Sequence, residues 1–134
     1  MAAPLTLKTA IGTYPHTVPL KNGAVTNPRV CLDHVEVVPA NRAFRPMVNE
    51  LAYDVSEMAL VTHMLGLACA RKLTGVPVIL MQQSAYAMLL VRPDSPLQHA
   101  RDLRGKSIGV RSYSQTTGAW LRGQLHDQFG LELE

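Results

Sequence analysis

The sequence predicts an α/β fold with a mostly parallel sheet, and three observations carry that prediction. Short β-rich segments alternate with segments of helical period, the order expected when helices cover strands that run the same way. Polar, hydroxyl-bearing turns follow several of the strands. The run VPVILM at residues 76–81 is apolar without interruption, as a strand buried on both faces would be.

The chain is organised around residues 102–129, DLRGKSIGVRSYSQTTGAWLRGQLHDQF. They read as a lead-in turn, a strand at 107–111, a polar elbow at 112–117 and an amphipathic helix at 116–129. A strand–elbow–helix unit aims free backbone N–H groups at whatever lies above the elbow, which suits a carboxylate, phosphate or sulfonate. Ser112, Tyr113, Ser114, Thr116 and Thr117 add hydroxyls there.

Taken from the start, residues 5–11 (LTLKTAI) predict a first strand, ended by Gly12-Thr13-Tyr14-Pro15. A short helix is expected at 16–22, with Pro19 early enough to be tolerated and Gly23 as its stop. Residues 30–38 (VCLDHVEVV) alternate apolar with polar and predict a second strand near a sheet edge. Asn41 can cap a helix reaching Leu51, with Phe44, Met47, Val48 and Leu51 at helical spacing; Pro46 requires a late start or a kink. A short third strand falls at 53–58, and Ser56 or Glu57 opens a helix at 59–73. Apolar residues surround most of that helix, which predicts burial between layers. Strands four and five are placed at 76–81 and 86–91.

The chain of 134 residues has 47% apolar residues, a net charge of +3 and five histidines, which fits one globular core and an acidic small molecule. No basic run with interleaved aromatics is present, so nucleic acid is not an expected partner. Cys31 and Cys69 lack metal-like spacing and read as buried free thiols. The start, MAAPLTLKTA, has no charged segment followed by an apolar core. That points to a cytoplasmic chain, or to a periplasmic one from which a leader has been cut. The most apolar stretch, 58–70, is too short for a membrane span and contains Thr62 and His63.

Three elbows carry the candidate chemistry, because ligands of open α/β sheets sit beyond the carboxyl ends of the strands. They are residues 12–17, 54–58 and 112–117. Ser56, Ser114 and Thr116 suit helix caps as well as ligand contacts, and Glu57 suits a helix dipole as well as a ligand. His16 lies alone on a loop; His63 reads as a core or edge histidine, and His34, His99 and His126 as surface residues. Trp120 is expected to pack with Leu121, Arg122 to pair with an acid, and Gly123 to admit close helix packing. GxGxxG, Walker, HExxH, GxSxG and CxxC motifs are absent, and neither a cofactor nor a metal is expected.

Read together, Tyr14, Thr17, Phe44–Met47, the run Asp54-Val55-Ser56-Glu57-Met58, Asp102-Leu103-Arg104-Gly105-Lys106, Gly109-Val110, Tyr113, Thr116, Trp120-x-Arg122-Gly123 and Leu125-x-Asp127-x-Phe129-Gly130 resemble the N-terminal part of the 4,5-dihydroxyphthalate decarboxylase-like proteins. These stand with the type II periplasmic-binding-protein fold, beside nitrate/taurine/sulfonate-binding proteins and thiamine pyrimidine synthases. The resemblance implies a two-lobed clamshell: residues 1–91 in a first lobe, and 92–134 as the hinge crossing and the start of a second, incomplete one. It implies that Tyr14, Thr17, Ser56, Glu57, Tyr113 and Thr116 face the cleft, with Ser114 beside them. Where family members carry an Arg and a His ahead of strand five, this chain has Gln82 and Tyr86, and members are roughly twice as long.

The expectation from these residues is a module that binds a small organic anion for an ABC-type uptake system, with a permease as partner. The alternative is a cofactor-independent decarboxylase of a dihydroxylated aromatic acid, with Glu57 and His16 as acid/base candidates and Tyr113 and Thr116 holding carboxylate. A further alternative is a truncated, inactive fragment, which can cover its open edge as a homo-oligomer.

Overall fold

The computed structural model describes residues 3–132. The chain divides into two compact units, one ending at Val76 and the other beginning at Pro77.

The first unit is a parallel sheet with its crossovers. Strands β1 (Leu5–Ala10), β2 (Val30–His34) and β3 (Val55–Ser56) lie in the order β2-β1-β3. Leu5 pairs with Val30 and Thr9 with His34 on one side of β1; Thr9 pairs with Val55 and Ala10 with Ser56 on the other. Parallel neighbours need crossovers. Helix α1 (Val18–Lys21) lies on the first, and a 3₁₀ turn (Ala40–Ala43) followed by α2 (Phe44–Glu50) on the second. The expected edge position of the second strand holds, although its ladder ends at His34. β1 sinks inward along its length, so Thr9, Ala10 and Ile11 are buried near its carboxyl end, with Thr17 and Ala43.

Local chemistry sets the helix limits. Gly23 takes φ +77° just after α1, a conformation glycine adopts without a Cβ penalty. Pro46 is the third residue of α2, where no intrahelical N–H bond is required, so the helix tolerates it. Asn41 does not cap α2; it lies inside the preceding 3₁₀ turn, and Ala43 takes the cap position. Helix α3 (Leu60–Ala68) is shorter than expected, and its cap position is Ala59 rather than Ser56 or Glu57. Its burial is also less than expected. Only Gly66 is buried, with Leu73 and Val48 close by, while Leu60, Met64, Leu65 and Leu67 remain exposed. An all-round apolar helix signals burial only where a second layer supplies the partner surface.

Three expected strands are not strands. Residues 76–81 and 107–111 form no ladder, and 86–91 begin within a 3₁₀ turn (Ala85–Met88). Val76, Val78, Ile79 and Met81 are exposed. Apolar β-branched sequence favours extended backbone, but a strand also needs a neighbour to take its N–H and C=O groups. Among the described residues these segments have none.

The second unit is built on α4 (Thr116–Phe129), whose bounds match the sequence reading. Leu121 and Leu125, one turn apart, form a core with Ala85, Leu103 and Leu131, flanked by Leu89, Leu97, Ile108 and Phe129. Gly130 closes the helix in the left-handed region, its N–H donating to His126, and Leu131 folds back onto Leu125. A third 3₁₀ turn (Ala100–Leu103) has His99 at its cap position and is braced from within by Asp102, whose carboxylate accepts the N–H groups of Gln98 and His99, both at 2.9 Å. Those bonds hold its carboxyl below the usual range. Trp120 is half-exposed rather than packed, and no atom lies within contact of a Cβ placed at Gly123. Cys31 and Cys69 are free as expected, but exposed.

Candidate functional site

Beyond the carboxyl ends of β1 and β3, the chain forms a hydrogen-bonded knot. The Glu57 N–H donates to the Ala10 carbonyl at 3.0 Å, which carries the β1–β3 pairing one residue further. That contact turns the Glu57 side chain back over the end of β1. Its Oε2 accepts the Gly12 N–H at 2.6 Å, and its Oε1 accepts the Tyr14 hydroxyl at 2.9 Å. Both side-chain oxygens therefore act as acceptors. Burial, with the Glu57 bond and charge beside it, raises the Tyr14 phenol above its ordinary value.

The backbone of the elbow is fixed from inside. Thr17 is buried; its hydroxyl accepts the Tyr14 N–H at 2.8 Å and donates to the Gly12 carbonyl at 2.7 Å. Expected to face a ligand, Thr17 instead orients the two residues that hold Glu57. Gly12 is demanded by space: a Cβ there would lie 2.5 Å from the Tyr14 ring carbon and hydroxyl. The sequence reading missed Gly12 as a functional position. A glycine directly after a predicted strand, two residues before a tyrosine, was the available signal.

The other expected residues of this unit are near the knot. Ser56 is half-buried, and its hydroxyl donates to the Glu57 carbonyl at 2.8 Å. His16 stacks on Tyr14, with ring centroids 5.5 Å apart and planes inclined by 15°. Thr13 and Lys21 engage Glu36, which lies just past β2. His34 departs from its surface assignment: both ring nitrogens are buried, with no hydrogen-bond partner among the described residues.

In the second unit, the 112–117 elbow is looser. The Ser112 and Ser114 hydroxyls are 3.4 Å apart. Tyr113 is exposed; its carbonyl accepts Arg122 Nη2 at 2.7 Å, and the guanidinium lies 3.8 Å over its ring. Arg122 therefore pairs with an aromatic and a carbonyl rather than with an acid. Thr116 opens α4 and is half-buried, and Gln115 takes the cap position. An open recess of about 540 Å³ in this unit is lined by Gln98, His99, Ala100, Arg101, Asp102 and Phe129, away from the elbow. Its one carboxylate is already committed to backbone N–H groups. Tyr86 donates its hydroxyl to Gln128 at 2.7 Å. Among the described residues no cluster of three or more His, Cys, Asp or Glu could hold a metal ion, and no helix is long and apolar enough to cross a membrane.

These features define a small α/β protein with a parallel three-stranded sheet and a Tyr–Glu pair at its strand ends. No family model and no solved structure matches the chain. The chain is similar to two curated proteins, both named 4,5-dihydroxyphthalate decarboxylase. It is 31% identical over 133 residues to the one from Pseudomonas putida, covering 96% of this chain and 50% of that protein. It is 30% identical over 133 residues to the one from Comamonas testosteroni, covering 96% of this chain and 39% of that protein. The chain thus spans half or less of the length of these relatives. Their names speak for the decarboxylase alternative rather than the transport expectation, and the periplasmic-binding fold finds no support among the matches.

Proposed function

We propose that the chain serves a carboxy-lyase reaction on a small dihydroxylated aromatic acid, with the Gly12–Tyr14–Glu57 knot as its acid/base centre. The observation that carries this reading is the Glu57 carboxylate, held by two donors beyond the carboxyl ends of parallel strands. The similarity to two proteins named 4,5-dihydroxyphthalate decarboxylase supports the reaction class.

In such a reaction the ring carbon bearing the carboxylate takes up a proton. The C–C bond then breaks, its electron pair returns to the ring, and carbon dioxide leaves. A ring hydroxyl para to that carbon feeds electron density toward it, more strongly as its proton is withdrawn. In this reading Glu57 makes that withdrawal, directly or through the Tyr14 hydroxyl, and the Gly12 N–H steadies the carboxylate as it works. His16, stacked on Tyr14, is the proton donor for the ring carbon.

Incubation with 4,5-dihydroxyphthalate tests this: release of carbon dioxide with formation of 3,4-dihydroxybenzoate is the expected result. A second reading, an anion-binding module without chemistry, is favoured by Gln82 and Tyr86 at the places where the resembled family carries Arg and His. Gln offers a neutral amide where Arg offers a charged two-point fork. Thermal stabilisation by the acid without gas release would support that reading instead.

A further inference from the structure

We infer that Thr13 and Lys21 form a carboxylate receptor on the first elbow, and that the chain's own Glu36 occupies it. Lys21 Nζ lies 2.7 Å from Thr13 Oγ1 and 2.7 Å from Glu36 Oε2. Thr13 Oγ1 in turn lies 3.1 and 3.3 Å from the two Glu36 oxygens. An ammonium and a hydroxyl thus grip one carboxylate from two sides. This rests on the proposed function for the identity of the acid, though not for the grip itself.

Three features make Glu36 a replaceable occupant. The cation is anchored and the anion is not: the Lys21 side chain is 13% exposed, the Glu36 side chain 55%. An ammonium has three donors, and two are engaged among the described residues, so one is left for a second acceptor. The Glu36 end of the pair is exposed, where an ion pair contributes little to stability, so exchanging one carboxylate for another costs the fold little. Lys21 and Thr13 also hold the Glu36 carboxyl below its ordinary value, so the receptor favours the charged form.

The position suits a substrate with more than one carboxylate. Thr13 sits between Gly12 and Tyr14, the two residues that hold Glu57. Glu36 follows β2 as Glu57 follows β3, so both acids lie past the carboxyl ends of strands flanking β1. A diacid with one carboxylate on Lys21 and Thr13 would have its ring beside the knot. Glu36 then acts as a tethered competitor that low-affinity monoacids fail to displace.

Phthalate, which has both carboxylates but no ring hydroxyls, is the probe, and its affinity is read by calorimetry. Glu36→Ala is expected to bind it about tenfold more tightly than the parent chain, the size of one charge-assisted contact released. Adding Lys21→Met, or Thr13→Val, to Glu36→Ala is expected to abolish most of that gain, with melting curves confirming that each variant is folded. Equal or weaker binding by Glu36→Ala overturns the inference, as does a double variant that binds like Glu36→Ala. Absence of binding by every variant overturns it too. Failure of the parent chain to release carbon dioxide from 4,5-dihydroxyphthalate would instead count against the proposed reaction, leaving the phthalate series to decide the receptor.

Discussion

The 12–17 elbow and the 112–117 elbow look alike as sequence, and the structure treats them differently. Both follow a predicted strand, both are rich in hydroxyls, and both contain a tyrosine. In the first, Gly12 and Tyr14 are tied to Glu57 across 45 and 43 residues, and Thr17 locks the turn from within. In the second, the contacts of Ser112, Ser114 and Tyr113 are local: Ser112 with Ser114, and Tyr113 with Arg122 nine residues on. The difference lies in what precedes each turn. β1 is a true central strand with neighbours on both sides, so its end meets the end of β3. Among the described residues, 107–111 form no ladder, so no neighbouring strand's end meets the turn that follows. Paired strands, rather than hydroxyl content, turn a polar elbow into a site.

Substitutions can break or sharpen that contrast. The largest effect is expected in the second unit's core, which depends on packing. Leu125→Ala removes a fully buried side chain and should cost about 2–5 kcal/mol in urea unfolding. In the first elbow, Thr17→Val keeps the volume but leaves the Gly12 carbonyl and Tyr14 N–H without their partner. The expected cost is about 1–3 kcal/mol, with activity falling further because the Glu57 donors lose their alignment.

Tyr14→Phe should cost about 1 kcal/mol, and it carries a pH signature. The fold holds the Tyr14 phenol above 10.0, so it is the neutral form that folding favours. That contribution is whole below about pH 10 and is lost as pH rises through the raised value. In an ultraviolet titration, a phenol that ionises above the ordinary tyrosine value should disappear in Tyr14→Phe. The stability difference between parent and variant should shrink over the same alkaline range. The smallest effect is expected at the second elbow: Arg122→Ala loses an exposed stacking contact and one hydrogen bond, about 0.5–1 kcal/mol.

Much of the first unit, with the main helix of the second, is legible in the sequence. The alternation at residues 5–11, the stop at Gly23, the edge character of the second strand and the span of α4 follow from local rules: period, left-handed glycine and polar alternation. The segments 76–81, 86–91 and 107–111 were misread because a strand is defined by a partner, and composition carries no record of one. Site residues divide the same way. Tyr14 and Glu57 were legible as polar groups on elbows, yet their bond depends on register between β1 and β3. Thr17 was placed on the correct elbow but with its hydroxyl outward, since nothing in a sequence says which way a turn threonine points. The Lys21–Glu36 contact was invisible for a similar reason: its partners sit on separate crossovers.

The central claim is that the Glu57 carboxylate, held by Gly12 and Tyr14, performs the proton chemistry. Carbon dioxide release from 4,5-dihydroxyphthalate, compared between the parent chain, Glu57→Gln and Glu50→Gln, tests it most directly. Glu57→Gln keeps the shape and removes the base, so the rate should fall by about 10²–10⁴, the range for loss of a positioned acid/base group, while the same exchange at the exposed Glu50 of α2 stays within a few-fold of the parent. Equal rates for the parent and Glu57→Gln, with both proteins folded, would contradict the account.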